Sequence, residues 1–361
     1  MRPVQSIAVK GGVNVELALA REAQARQHES MIRRLFLLFL SGGLVGGLMA
    51  AEPASQPFRP RTMAYVLQAD RLAKTRADVV KTLASSRRDV VVLDAVYNGD
   101  AGGAWTAAEL QTIRAGQTGR KIVAYVSIGE AEDYRPYWQP SWDANKDGKP
   151  DAGAPSFLNI ENPDWKGNYR VRYWQAAWQD IMLQAVDEVV TQGFDGIYLD
   201  IVDAYEFYEY DPATKRWRDN WINPETGKTY RRDMIAWVAA IAARARAVNP
   251  QFLVIPQNAA PLLEHEDYRQ LVSGIGVEDL FLKGKRLSTP AESAYIISYL
   301  DLLKPLGKPV LVIDYPKAAP LKTGAYARAS QHGYTLLLTD RELTTLGESR
   351  PPMRQVRRPA R

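Results

Sequence analysis

From Thr62 onward, short apolar runs alternate with longer stretches of helical periodicity. The runs are Met63–Gln68, Val90–Asp94, Lys121–Ser127, Gly196–Asp200, Phe252–Gln257, Ile275–Glu278, Pro309–Asp314 and Tyr334–Thr339. They are continuous rather than alternating, as expected of strands covered on both faces. Predicted helices between them include Tyr169–Gln192, Tyr230–Val248 and Glu292–Leu306. In the middle one, Met234, Ile235, Val238, Ile241 and Ala242 mark one helix face, and Asn249-Pro250 supplies the stop. Eight strands alternating with helices predict an α/β fold, a single (β/α)8 TIM barrel. A doubly wound sheet is the rival. It would place a glycine-rich phosphate loop after the first strand, where Gln68-Ala69-Asp70 stands instead.

The ends of the chain follow other patterns. Met31-Ile32-Arg33-Arg34, then Leu35 to Ala51, have the basic, apolar and small-residue order of a secretory signal. The expected organisation is therefore an N-terminal extension at 1–30 preceding the true start, a signal peptide at 31–51 and a linker at 52–61. The barrel follows at 62–349 and a basic tail at 350–361. A retained membrane anchor over Leu35–Ala51 is the alternative, with Gly42 and Gly46 as a helix-packing pair. Otherwise the protein is expected to be exported, periplasmic or secreted.

Charge sharpens this division. Residues 1–61 carry eight Lys/Arg against four Glu, and Arg350–Arg361 carries five Arg and no acid. Removing both ends from the total of +5 leaves −4 for residues 62–349. The body is mildly acidic, which argues against a nucleic-acid partner. Cysteine is absent, excluding disulfides, thiolate nucleophiles and iron–sulfur clusters, and three histidines leave acid–base chemistry to Asp and Glu. No cofactor is expected.

The candidate chemistry stands at the strand ends. In chain order these carry Gln68, Asp94, Ser127 with Glu130, Asp200 with Asp203, Gln257 with Asn258, Glu278, Asp314 with Tyr315, and Asp340 with Arg341. In a barrel all of them converge on one mouth. The run Gly193–Tyr210 is the richest, passing from an apolar strand into Asp200, Asp203, Tyr205, Glu206, Tyr208 and Glu209. Two carboxylates on opposite sides of such a mouth suit glycoside hydrolysis, one protonating the leaving oxygen and the other attacking the sugar or activating water. Asp200 and Glu278 are the pair that strand order selects; a salt bridge from Arg341 or Lys283 is the structural alternative for Glu278. Tyr134, Tyr137, Trp138 and Trp142 are candidates for a sugar platform, whereas Trp174 and Trp178 have the spacing of inward-packed helix residues. Asp143, Asn145, Asp147, Gly148 and Asp151 fit the first half of a calcium loop, but Ala154 stands where the twelfth-position Glu belongs, so a surface turn is expected and no metal.

Several strings together resemble glycoside hydrolase family 114, the endo-α-1,4-polygalactosaminidase-like TIM barrels, and in particular its bacterial and archaeal branch. They are AYVSIGEAEDYRPYW (Ala124–Trp138), WKGNYRVRYW (Trp165–Trp174), GFDGIYLDIVDAYE (Gly193–Glu206), IPQNA (Ile255–Ala259), GVED (Gly276–Asp279) and TDREL (Thr339–Leu343). The resemblance implies a catalytic Asp after strand four and a Glu after strand six, which fall on Asp200 and Glu278. It also implies a cleft lined by Ser127–Tyr134, with Glu130 and Tyr134 as sugar contacts. The expected activity is endo-acting hydrolysis of an α-1,4-linked galactosamine-containing polysaccharide, a cationic amino-sugar polymer. The other substrate-binding candidates are Gln68, Asp94, Ser127, Asp203, Tyr205, Gln257, Asn258, Asp314, Tyr315 and Arg341. A non-catalytic polysaccharide-binding protein on the same barrel is the alternative. Which carboxylate is the acid, and whether the anomeric configuration is retained, stay open at this level.

Overall fold

A computed structural model describes residues 57–97 and 103–351. The expected extension, signal peptide, half of the linker and nearly all of the basic tail lie outside the described residues. The chain opens with β1 (Met63–Val66), α1 (Arg76–Ser85), β2 (Val90–Asp94), α2 (Ala107–Ala115) and β3 (Lys121–Ser127). An antiparallel insertion of β4 (Glu130–Glu132), β5 (Leu158–Asn162) and β6 (Trp165–Val171) follows. Next come α3 (Ala176–Gln192), β7 (Gly196–Asp200), α4 (Tyr205–Glu209), the hairpin β8 (Tyr210–Asp211) and β9 (Arg216–Trp217), and α5 (Tyr230–Val248). The remainder is β10 (Leu253–Pro256), α6 (Glu266–Leu271), β11 (Ile275–Glu278), the hairpin β12 (Leu282–Lys283) and β13 (Arg286–Leu287), α7 (Pro290–Leu300), β14 (Val310–Asp314), α8 (Ala319–His332) and β15 (Thr335–Leu338).

The eight predicted strands are β1, β2, β3, β7, β10, β11, β14 and β15, all in parallel register with their neighbours. Sheet β1-β2-β3-β7-β10 joins sheet β11-β14-β15 through a parallel bridge between Gln257 and Gly276. The architecture is a (β/α)8 barrel. Its continuous apolar strands serve two separate cores. One face of each strand, with Met63, Tyr65, Val90, Val92, Val123, Tyr125, Tyr198, Leu253, Ile255, Leu311, Ile313 and Leu337, fills the barrel interior. The other, with Ala64, Val91, Ala124, Ile197, Val254, Val277, Val312 and Leu336, packs against the helices. Burial on both faces removes the polar alternation of a half-exposed strand.

The seam between β15 and β1 is closed by side-chain and loop groups. Met63 N–H donates to the Ser349 hydroxyl oxygen at 3.0 Å, and that hydroxyl donates to Leu336 C=O at 2.7 Å. Thr335 Oγ1 donates to Pro60 C=O at 2.7 Å, and the N–H groups of Leu67 and Gln68 reach Leu343 C=O. The segments flanking the barrel thus satisfy buried strand-edge groups.

Helix α5 buries the five residues predicted for its inner face, and Thr229 caps its start. The helix expected over Tyr169–Gln192 begins only at Ala176, because residues 165–171 are a strand paired with β4 and β5. There Gly167, Tyr169 and Val171 point inward at period two, a rhythm easily lost beside the longer helical pattern that follows. The third predicted helix is α7, which starts at Pro290 behind a Thr289/Glu292 capping box and tightens into a 3-10 turn at Asp301–Leu303.

Ser349→Ala leaves Met63 N–H and Leu336 C=O without the hydroxyl that joins them. The expected loss is about 1–3 kcal/mol, read as a lower denaturant midpoint; an unchanged midpoint removes Ser349 from the closure.

Candidate active site

The site grows out of the inward faces of β7 and β11. On β7 the inward residues are Gly196, Tyr198 and Asp200; on β11 they are Gly276 and Glu278. Each acid therefore stands one inward step above a residue that shapes the floor. Tyr65, Tyr125 and Tyr198 make that floor, with Tyr65 5.2 Å from Tyr198 and 6.2 Å from Tyr125 between ring centroids. Gly276 is required by close approach, since a Cβ there would stand 1.7 Å from the Tyr198 hydroxyl. The Ala124–Ser127 strand passes to β4 through Gly129, where a Cβ would lie 2.1 Å from Ile201 C=O. These two glycines let the tyrosine floor and the β7 turn close under the acids.

Both carboxylates are held by uncharged donors. Asp200 accepts from Tyr125 Oη at 2.8 Å and from Ile201 N–H at 2.8 Å. Glu278 accepts from Gln257 Nε2 at 2.7 Å and from the Tyr315 hydroxyl. Among the described residues neither acid forms a salt bridge. Arg341, the partner considered for Glu278, instead binds Asp279 at 2.8 Å and lies 4.2 Å over the Tyr315 ring. Burial pushes Glu278 up to about 7, and the Asp200 charge adds to the shift. Burial likewise raises Asp200 to about 6, against the hydrogen bonds from Ile201 and Tyr125. Asp203, on the next turn, rises to about 8 by burial and by the charges of Asp200 and Glu206.

These groups line one cleft of about 760 Å³ at the C-terminal end of the strands. The insertion builds one wall, supplying Glu130, Glu132, Asn162, Trp165, Asn168 and Arg170. Glu130 accepts from Asn162 Nδ2 at 2.8 Å and is raised by burial to about 6. Glu132 accepts from Tyr134 Oη at 2.6 Å and from Arg135, whose guanidinium also grips Asp94 at 2.8 Å.

The model of glycoside-hydrolase family GH114 matches residues 49–354. The chain belongs to family GH114. An uncharacterized protein of Deinococcus radiodurans is 36% identical over 300 residues, covering 83% of this chain and 87% of its own. The crystal structure of Aspergillus fumigatus Ega3 in complex with galactosamine is similar in fold, with a TM-score of 0.57 and 19% identity over 83% of this chain and 99% of that one. The glycoside hydrolase domain of PelA from Pseudomonas aeruginosa has a TM-score of 0.54 and 18% identity over 80% of this chain and 98% of that one.

Within this GH114 barrel, Gln68, Glu130, Tyr134, Asp200, Asp203, Gln257, Asn258, Glu278, Tyr315 and Arg341 all line the cleft. Four other candidates are placed elsewhere. Asp94 is buried beneath the wall and occupied by Arg135. Ser127 is buried, its hydroxyl donating to Glu130 C=O at 3.1 Å, so it ties the β3–β4 connection. Tyr205 is fully buried in the helix-facing core with Arg231 over its ring. Asp314 points to the outside of β14, where it accepts the N–H groups of Phe281 and Leu282. Outward alternation accounts for Asp314, a nearby arginine for Asp94 and Tyr205, and the bond to the next turn for Ser127.

Of the four aromatics considered for a sugar platform, Tyr134 alone lines the cleft. Trp138 and Trp142 pack with Tyr169 and Phe157 under the insertion, and Tyr137 lies edge-on to Trp178. The exposed aromatics at the rim are Tyr134, Trp165 and Trp217. Trp165, Phe207, Tyr210 and Trp217 also line the cleft, and nothing local in the sequence distinguishes such a rim aromatic from a core one. In the Asp143–Asp151 loop the acidic and amide oxygens accept backbone N–H groups of Ala144, Asp147, Gly148 and Lys149 and the Tyr169 hydroxyl. Among the described residues no group of three or more His, Cys, Asp or Glu has the spacing to hold a metal ion.

Asp203 gives a test of this electrostatics. Its folded value of about 8 lies above the ordinary Asp value of about 3.9. The folded state therefore binds the proton more tightly, and the stability due to this group falls as pH rises from about 4 to about 8. Asp203→Asn carries no such dependence. Its melting temperature is expected to exceed that of wild type at pH 8, with the gap closing toward pH 4; a constant gap refutes the shift.

Proposed function

We propose that the protein is an endo-acting glycoside hydrolase of α-1,4-linked galactosamine-containing polysaccharide, with Asp200 as nucleophile and Glu278 as acid. The observation that carries this is the pair itself: two carboxylates from β7 and β11 share one barrel mouth, neither is neutralised by a cation, and Glu278 holds its proton to the higher pH. Burial raises both, and a carboxyl that keeps its proton near neutrality suits the role of acid.

In the first step an Asp200 oxygen attacks the anomeric carbon as the bond from that carbon to the leaving oxygen breaks. Glu278 delivers its proton to that oxygen, and the shortened chain departs as an alcohol. Glu278, now ionised, takes a proton from water, whose oxygen attacks the same carbon and releases Asp200. Tyr125 and Ile201 N–H hold Asp200 by the bonds that favour its charged form. Gln257 and Tyr315 fix the Glu278 carboxyl, and Asn258 Oδ1 accepts the Glu278 backbone N–H at 3.2 Å.

The substrate class rests on charge and on likeness. With Asp203 and Glu278 protonated between pH 6 and 7, the cleft still sets Glu130, Glu132, Asp200, Glu206 and Glu342 against Lys166, Arg170 and Arg341, an excess of acid that suits a protonated amino sugar. Ega3, similar in fold, is seen in complex with galactosamine. The signal-like pattern over residues 31–51 is consistent with export toward such a polymer.

Wild type is expected to shorten α-1,4-galactosamine polymers, with first-formed products in the α configuration by proton NMR. Glu278→Gln and Asp200→Asn should each lower the rate on the order of 10²–10⁴-fold while melting as wild type or higher. Binding without cleavage of any sugar polymer would turn the assignment toward a binding protein.

The pH dependence has a definite sign. The active form needs Asp200 ionised, above about 6, and Glu278 protonated, below about 7. The rate kcat/KM should be bell-shaped, with its maximum between these values, both belonging to the coupled pair. A rate still rising at pH 9 would rule out Glu278 as the acid.

A further inference from the structure

The cleft does not end at Glu278. A second cavity of about 420 Å³ lies beyond it, lined by Asp203, Glu206, Asp219, Trp217, Tyr295 and Ile296 among others. The two lobes share Asp203, Glu206, Trp217, Asn258 and Glu278, so they meet along one edge of the site. They do not share Asp200, which lines the first lobe alone, or Tyr295, which lines the second alone.

That asymmetry gives the cleft a direction. The sugar attacked at its anomeric carbon must touch the nucleophile, and the departing oxygen must touch the acid. A lobe that holds both groups takes the attacked sugar. A lobe that holds only the acid takes the sugar that leaves.

We propose that the second lobe is the leaving-group subsite, which binds the amino sugar on the reducing side of the scissile bond through Tyr295, Trp217 and Glu206. This assignment rests on the roles given above to Asp200 and Glu278. Tyr295 is 59% exposed on α7 and Trp217 is 64% exposed on the β8–β9 hairpin, so both present free ring surface at the cavity edge. Such rings stack on a sugar and attract its ammonium group. The acid supply is in excess. Arg231 is the cation of this lobe, and it is already bound to Glu209 at 2.9 Å and Asp219 at 2.6 Å. Glu206 faces the shared edge outside those ion pairs, placed to meet a protonated amine.

The test compares two substrates. One is an end-labelled α-1,4-galactosamine hexamer, which needs a sugar in the second lobe. The other is a nitrophenyl α-galactosaminide, whose leaving group is small and needs little help. Tyr295→Ala and Glu206→Gln are each expected to lower the ratio of hexamer to nitrophenyl kcat/KM about tenfold, the size of one lost aromatic or charge contact. Unchanged ratios in both variants overturn the assignment. Cleavage of neither substrate by wild type is failure of the hydrolase itself, and calorimetry then tests the lobe separately. Asp200→Asn protein titrated with the hexamer should bind it about tenfold more tightly than the same protein carrying Tyr295→Ala; equal binding overturns the subsite.

Discussion

Two like charges at the end of a hydrophobic barrel are costly, and the arrangement around Asp200 and Glu278 follows from that cost. An isolated buried carboxylate is unfavourable unless it is hydrogen-bonded or neutralised by protonation. Here no guanidinium or ammonium forms an ion pair with either acid among the described residues; tyrosine, glutamine and a single backbone amide hold them instead. Neutral donors leave the carboxyl values high, which a salt bridge would have prevented. The contrast with Asp94 is direct: a bidentate arginine makes it a fixture of the wall rather than a reactive group.

The backbone carries part of the same cost. Ile201, Asn258, Ala259 and Asp279 all have positive φ; Ile201 and Asp279 follow β7 and β11 directly, and Asn258 and Ala259 follow β10 after one intervening residue. A β-branched residue such as Ile201 in the left-handed region is a true outlier. Its turn brings Ile201 N–H back onto the Asp200 carboxylate, so the strained residue is also a hydrogen-bond donor to the site. Strain of this kind, on the order of 1–3 kcal/mol per residue, persists where the surroundings over-determine it. The parallel barrel supplies that determination through its two cores and its closed seam.

The loops build the walls on top of this frame. The β4–β6 insertion raises one wall with Glu130, Asn162 and Trp165, and the β8–β9 hairpin places Trp217 where two lobes meet. Neither element contributes to the barrel ladder. This division, a rigid floor and adaptable walls, is the usual economy of the fold.

The sequence alone determined the elements that obey a strong local rule. All eight strands were legible because burial on both faces makes them continuous apolar runs, and Asp200 and Glu278 because each is an acid at the end of such a run. Helix α5 was legible from its own stripe. What the sequence could not decide is what the fold brings together or turns away. Ser127 and Asp314 end their strands as Asp200 does, yet a hydrogen bond to the next turn buries one and outward alternation buries the other. Trp138 and Trp142 carry the same rings as Trp165 and Trp217, and only packing against Tyr169 and Phe157 makes the first two core. Whether a polar or aromatic side chain meets substrate depends on partners tens of residues distant. That information resides in the tertiary contacts, because burial is a property of the assembled surface and not of any local stretch of chain.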